Sequence, residues 1–171
     1  MKLRRFLDMV AAYALVVLLI VIAIKLTRGT APVFEGRAYV IDGDTLALGS
    51  ERLRLVGIDA PELGQSCEAG GIAVPCGRRA REALRALVTA GVRCEGHGRD
   101  VYHRVLATCT AGAGDLGARM VADGQAVADG CCWAEEAAAR RARRGIWAGA
   151  FERPAAWRRA RRMHESVAQE P

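Results

Sequence analysis

An unbroken apolar run near the amino terminus constrains this chain more than any other feature. The run covers residues 9–24 and follows a short basic head, MKLRRF. A soluble amphipathic helix would carry a polar face, and this run has none. Its 16 residues fall slightly short of the about 20 that cross a bilayer, but apolar neighbours on both sides extend it. We therefore expect residues 1–28 to form a cytoplasmic basic tail and a transmembrane helix.

Charge sets the expected orientation of this segment. The positive charges of the basic head and the amino terminus outnumber those of Lys25 and Arg28 on the other side of the run. This difference favours a cytoplasmic tail with the rest of the chain across the membrane. A cleaved signal peptide is the alternative, but cleavage requires small residues just after the apolar run, where Lys25 and Leu26 stand. We expect a single-pass membrane protein whose domain lies outside the cytoplasm, and secretion after cleavage as the alternative.

The remaining chain has the length of one domain, because about 140 residues suffice for a single core. Residues 29–35 read as a linker, residues 36–150 as the domain, and residues 151–171 as a basic helix and tail. Residues 140–162 carry nine Arg against one acid, Glu152. Such a basic end can meet phosphates or anionic lipid, and a merely solvated helix is the alternative.

Hydrophobic periodicity predicts an α+β domain. Short strands are predicted at 37–41, 46–48 and 53–58, then at 92–95 and 105–110. Residues 63–76 read as irregular, and helices are predicted at 77–90, 115–124 and 134–144 and from Pro154 onward. Strands first, then helices interleaved with two more strands, fit a small barrel of five strands.

Acidic residues follow two of these strands. Asp-Gly-Asp-Thr occupies residues 42–45, and Asp-Ala-Pro-Glu occupies residues 59–62, five residues after Arg54. Asp44 and Asp59 brought together would need a cation, and hard oxygens suit calcium or magnesium. Glu62 can act as a general base, and Arg54 can bind a phosphate with two hydrogen bonds. Singly each motif is a common turn or loop, but together they suit metal-assisted hydrolysis of a phosphodiester.

These motifs resemble the signature of the staphylococcal nuclease family. The resemblance rests on VIDGDT at 40–45, RLVGIDAPE at 54–62, DVYHR at 100–104, DLGARMVADGQAVA at 115–128, and GIWAGAF followed by Pro154, Trp157 and Arg158. It covers roughly residues 35–158, nearly the whole soluble part.

The sequence leaves the oligomeric state open, with a monomer favoured. The resemblance implies a five-stranded OB-fold β-barrel with three helices, in a protein of a bacterial inner membrane whose domain is periplasmic or extracellular. It also implies a calcium-dependent endonuclease, with magnesium as the alternative cation, that cleaves DNA or RNA at the 5′ P–O bond and leaves 3′-phosphate ends. The matching positions are Asp44, Asp59 and the Ala60 carbonyl for the metal, Glu62 for the general base, and Arg54 and Arg104 for the phosphate.

Two positions depart from the family pattern. Ala60 stands where the best-known member has Thr, which matters little if the main-chain carbonyl is the ligand. His103 replaces the usual Gly before Arg104. A Gly there can serve a positive φ, which His adopts less easily, so we expect the placement of Arg104 to be affected.

The six cysteines indicate disulfides in an oxidising compartment. Cys94 and Cys109 flank the 100–104 segment, and if they face each other in the two strands, Arg99 faces Arg104. A second bridge is expected between Cys67 and Cys76. Cys131 and Cys132 are left unassigned, and free buried thiols are the alternative throughout. No Cys-x-x-Cys is present, so a zinc site is not expected.

The sequence is compatible with three functions. The first is an active metal-dependent nuclease. The second is a catalytically inactive module of the same fold that binds nucleic acid or protein, and the third is a membrane protein whose basic helix contacts lipid. A pure binder has no need of the full set Asp44, Arg54, Asp59, Glu62 and Arg104, which favours the enzyme.

Overall fold

The computed structural model describes residues 2–27, 31–112 and 114–167. They form two units, residues 1–31 and residues 32–171. The first unit contains helix α1 (Lys2–Thr27), whose apolar side chains, where described, are exposed. No helix in the described ranges combines the length and the apolar character needed to cross a membrane. The predicted transmembrane helix is therefore not found there, and residues 1 and 28–30 of the predicted anchor and linker lie outside the described residues.

The second unit is an α+β domain built on a curled sheet. Its strands are β1 (Val33–Gly36), β2 (Tyr39–Val40), β3 (Thr45–Leu48), β4 (Glu51–Leu55), β5 (Ile58–Asp59), β6 (Cys67–Ala69), β7 (Ile72–Val74), β8 (Val92–Arg99), β9 (Val105–Ala111), β10 (Gly114–Asp115) and β11 (Val127–Ala128). Its helices are α2 (Cys76–Leu87), α3 (Leu116–Ala122), α4 (Trp133–Arg141), a 3₁₀ helix (Gly145–Ala148) and α5 (Pro154–Val167).

The main sheet differs from the predicted five-stranded barrel. It has seven strands in the order β1-β8-β9-β4-β3-β2, with β10 beside β9, and forms a half-barrel. Only the β4–β9 pair among its described pairs is parallel. The predicted linker contributes β1, because Phe34 packs on the core and pairs with Cys94. The described part of this unit holds four α-helices, which correspond to the three helices expected in the domain and to the expected basic C-terminal helix.

Two local predictions also need correction. The segment at 63–76 was expected to be irregular, but it contains the β6–β7 hairpin, which turns at Gly70 and Gly71. The third strand ends early because the chain turns at Gly57, whose φ is 76°. Strict alternation along a strand at 53–58 would place Ile58 on the same face as Arg54. Because of the turn, Ile58 instead joins Leu53 and Leu55 in the core.

The predicted disulfides are confirmed. Cys67 is bonded to Cys76, and Cys94 is bonded to Cys109 across β8 and β9. Cys131 and Cys132, which the sequence left unassigned, form a third bridge, so all six cysteines, each within the described residues, are paired.

The register beyond the Cys94–Cys109 pair was predicted wrongly. Arg99 pairs with Val105 and not with Arg104. The reason is an irregularity between Gly96 and Arg99 that shifts the register by one residue.

Candidate active site

A tight turn between β2 and β3 places Asp44. The Asp44 amide donates to Oδ1 of Asp42 at 3.0 Å, and the Ile41 amide donates to the Thr45 carbonyl at 2.9 Å. A Cβ atom at Gly43 would lie 2.6 Å from the Cβ of Ala60. The turn can therefore pack against the loop after β5 only with glycine at this position, and this packing brings Asp44 beside Asp59.

Arg54 bridges the two buried aspartates. Its Nη1 lies 2.8 Å from Oδ1 of Asp44, and its Nη2 lies 3.1 Å from Oδ1 of Asp59. Both aspartates are 3% exposed. Burial disfavours the charged guanidinium, but the two carboxylates outweigh it and raise the pKa of Arg54. Alternation along β4 places Arg54 opposite the face that buries Leu53.

Burial works against the ionised form of the Asp44 carboxyl, and its neighbours offset this only in part. Burial raises the pKa of Asp44 to about 7, although Arg54 opposes the shift. The Ala60 amide donates to its Oδ2 at 3.2 Å, and the Thr45 hydroxyl donates to its Oδ1 at 2.9 Å. A group in this state favours an additional cation nearby.

The donor set suits a hard divalent cation. Asp44 and Asp59 supply carboxylate oxygens of the kind that calcium and magnesium prefer. Across the described residues there is no group of three or more His, Cys, Asp or Glu side chains that could hold a metal ion. Further ligands would therefore be backbone oxygens and water. The carbonyl of Ala60 as a ligand stays a prediction.

Arg158 on α5 joins the site from the far end of the chain. Its Nη1 lies 2.9 Å from Oδ1 of Asp59 and 2.9 Å from Oε1 of Glu62, and its Nη2 lies 3.1 Å from Oδ2 of Asp59. Burial opposes the charge, but hydrogen bonds to these carboxylates raise the pKa of Arg158. The sequence resemblance included Arg158 only as part of a tail motif. No local pattern could place it beside residues almost a hundred positions earlier.

Gln65 and Gly77 fix the backbone of Glu62. Gln65 is 1% exposed, and its side chain accepts from the Glu62 amide at 3.3 Å and donates to the Glu152 carbonyl at 2.6 Å. A Cβ atom at Gly77 would lie 1.7 Å from the Glu62 carbonyl oxygen. Glu62 is thus held between α2 and the segment that leads into α5. Sequence reasoning missed both contacts, because no local pattern around Gln65 or Gly77 indicates them.

Arg104 is held by Asp100 within its own turn. Its Nε donates to Oδ2 of Asp100 at 2.8 Å, while Oδ1 accepts from the amides of Tyr102 and Arg104 at 2.9 and 3.0 Å. His103 is exposed and has a φ of 63°, so this position does require a positive φ. Arg104 still reaches the site despite the histidine.

One open pocket brings these residues together. Arg54, Glu62, Arg104 and Arg158 all line it, and Arg52 and Arg162 lie at the same pocket. Among its lining residues, Asp42 and Glu62 are the acids. The opening is therefore strongly basic, while the carboxylates of Asp44 and Asp59 lie buried behind it.

Comparison of the sequence with known proteins identifies the family. The chain is 40% identical over 103 residues to the succinoglycan biosynthesis protein ExoI of Rhizobium meliloti (strain 1021), a match that covers 58% of this chain and 54% of ExoI. It therefore spans about half the length of that relative. The family model described as staphylococcal nuclease homologue matches residues 52–149 of the 171, which include Arg54, Asp59, Glu62 and Arg104. The chain therefore belongs to the family of staphylococcal nuclease homologues.

Proposed function

We propose that this protein is a metal-dependent nuclease that hydrolyses phosphodiester bonds of DNA or RNA. The cation is calcium, with magnesium as the alternative, and cleavage occurs at the 5′ P–O bond. The observation that carries the proposal is the bridge from Arg54 to the buried Asp44 and Asp59, at a pocket that Glu62 and Arg104 also line.

Each side chain has a distinct role in the proposed reaction. Arg54 and Arg104 bind the phosphate oxygens and offset the charge that develops on them. Glu62 accepts a proton from the attacking water. Asp44 and Asp59 would hold the cation, which when bound supplies Lewis-acid polarisation of the phosphoryl group. The water oxygen bonds to phosphorus as the bond to the 5′ oxygen breaks. The leaving 5′ oxygen takes up a proton from solvent water and Glu62 returns its proton to solvent, so the products are a 3′-phosphate and a 5′-hydroxyl.

A module that only binds nucleic acid accounts less well for the same site. Arginines alone would attract a polyanion, whereas Asp44 and Asp59 repel it and are costly to bury. Their burial at the base of a basic pocket is understandable if they hold a cation. The inactive binding module is the second candidate function. The arginines of the pocket favour it, but the buried aspartates do not.

The domain is proposed to act outside the cytoplasm. Its support is the pairing of all six cysteines in disulfides, which persist in oxidising compartments. Every side chain of the proposed site comes from one chain, so a monomer suffices. Fractionation of cells that express the full chain tests the compartment. Recovery in the reduced, cytoplasmic fraction would contradict it.

The test of the activity uses full-length protein purified with its disulfides intact. Single-stranded DNA, plasmid DNA and RNA are incubated with calcium, with magnesium and with a chelator. We expect cleavage that the chelator abolishes, and 3′-phosphate ends that block extension by a polymerase until a phosphatase removes them. Binding without cleavage under every metal condition would favour the inactive module.

A further inference from the structure

The oxygens of Asp59 are already occupied by arginine. Oδ1 accepts from both Arg54 and Arg158, and Oδ2 accepts from Arg158. A divalent cation at Asp59 therefore competes with at least one guanidinium.

The two arginines differ in how firmly they are held. Arg54 lies within β4 between buried leucines, and its side chain is 18% exposed. Arg158 lies on the C-terminal helix, and its side chain is 31% exposed. Arg158 also contacts Glu62, so its departure frees Glu62 and Oδ2 of Asp59, while Arg54 keeps its hydrogen bond to Oδ1. The greater exposure of Arg158 and its position on the C-terminal helix favour it as the arginine that moves.

We propose that Arg158 is a built-in counter-cation of the site. It holds Asp59 and Glu62 until a divalent cation binds, and its guanidinium then turns into the pocket beside Arg54 and Arg104 to meet a substrate phosphate. This role rests on the proposed nuclease function, and it links metal binding to nucleic-acid binding through Arg158.

The helix that carries Arg158 has other contacts to keep it in place. Pro154 is buried at its first turn, and the Glu152 carbonyl just before it accepts from Gln65 at 2.6 Å. Trp157 on the same helix faces the loop after β5, since a Cβ atom at Gly64 would lie 3.9 Å from its ring. Removal of the Arg158 side chain therefore leaves α5 docked.

Calcium titration of the full-length protein without substrate tests this role. We expect Arg158→Ala to lower the calcium dissociation constant by about threefold to tenfold, because a competing ion pair is lost. The calcium dissociation constant of Arg158→Lys should lie between those of the wild-type protein and Arg158→Ala. Arg161→Ala is the matched control, since it removes an arginine from the same helix without touching a carboxylate, and it should leave the calcium affinity unchanged. In cleavage assays Arg158→Ala should raise the KM for a single-stranded oligonucleotide.

The outcomes separate this role from the proposed activity. Loss of a merely structural contact would loosen the site and weaken calcium binding. Unchanged or weaker calcium binding by a folded Arg158→Ala protein, with wild-type protein that still cleaves, would overturn the role of Arg158 alone. Wild-type protein that fails to cleave, with tighter calcium binding in the variant, would overturn the nuclease and leave the counter-cation standing.

Discussion

Gly77 lies directly against the backbone of Glu62, since a Cβ atom at Gly77 would come within 1.7 Å of the Glu62 carbonyl oxygen. We expect Gly77→Ala to shift the Glu62 loop and to lower kcat by about 100-fold, because a displacement of about 1 Å in a reacting group has this effect. Gly64→Ala in the same loop is the control, because its Cβ would have only an ordinary contact with Trp157 at 3.9 Å. Equal rates in the two variants would show that Gly77 does not position Glu62.

His103 adopts a positive φ of 63° in the turn before Arg104. We expect His103→Gly to raise the free energy of unfolding by about 1 kcal/mol, because glycine adopts this conformation without the steric penalty of a side chain. Urea denaturation measures the change. His97→Gly in strand β8 serves as the control and should destabilise. A loss of stability in His103→Gly would mean that the imidazole makes a stabilising interaction that outweighs its backbone strain.

Asp100 and Arg104 predict a pH dependence of stability. Burial opposes ionisation of Asp100, but hydrogen bonds from Arg104 outweigh it and lower the pKa of this carboxyl. A lowered folded-state pKa contributes stability above the unfolded-state pKa, and this stability is lost as pH falls through the folded value. We therefore expect the wild-type protein to lose more stability than Asp100→Asn when the pH falls below about 4. The measurement is Tm as a function of pH for both proteins, each expressed relative to its value at neutral pH. Equal losses of Tm in acid would contradict this prediction.

The Cys94–Cys109 bridge closes a longer loop than the Cys67–Cys76 bridge, with sequence separations of 15 and 9. Replacing both cysteines of either pair by alanine should lower the free energy of unfolding by about 2–4 kcal/mol, and the longer loop should give the larger loss. Guanidinium denaturation of the two double variants makes the comparison. Greater destabilisation by loss of the Cys67–Cys76 pair would mean that native-state packing, and not loop length, decides the effect.

The acidic turns, Arg54 and the two disulfides could be predicted because each depends on short-range sequence pattern. Alternation along β4 placed Arg54 off the core, and the positions of Cys94 and Cys109 in neighbouring strands placed them face to face. The contacts of Arg158 could not be predicted, because they join residues separated by 96 and 99 positions.

Backbone irregularities account for most of the errors in the predicted fold. The turn at Gly57 reversed the expected face of Ile58, and the irregularity after Gly96 shifted Arg99 to Val105. Strand β1 lies at the edge of the sheet and directly follows Pro32, so its sequence resembles that of a linker. Only its pairing with β8 makes it a strand.

The most direct test of the proposed nuclease compares wild-type protein with Glu62→Gln and Arg54→Ala. All three proteins are purified with their disulfides intact, confirmed as folded by circular dichroism, and assayed on single-stranded DNA with saturating calcium. We expect wild-type protein to cleave and each variant to lose activity by about 100-fold or more, because the general base or the phosphate-binding guanidinium is missing. Equal cleavage by all three folded proteins would show that this pocket is not the catalytic site.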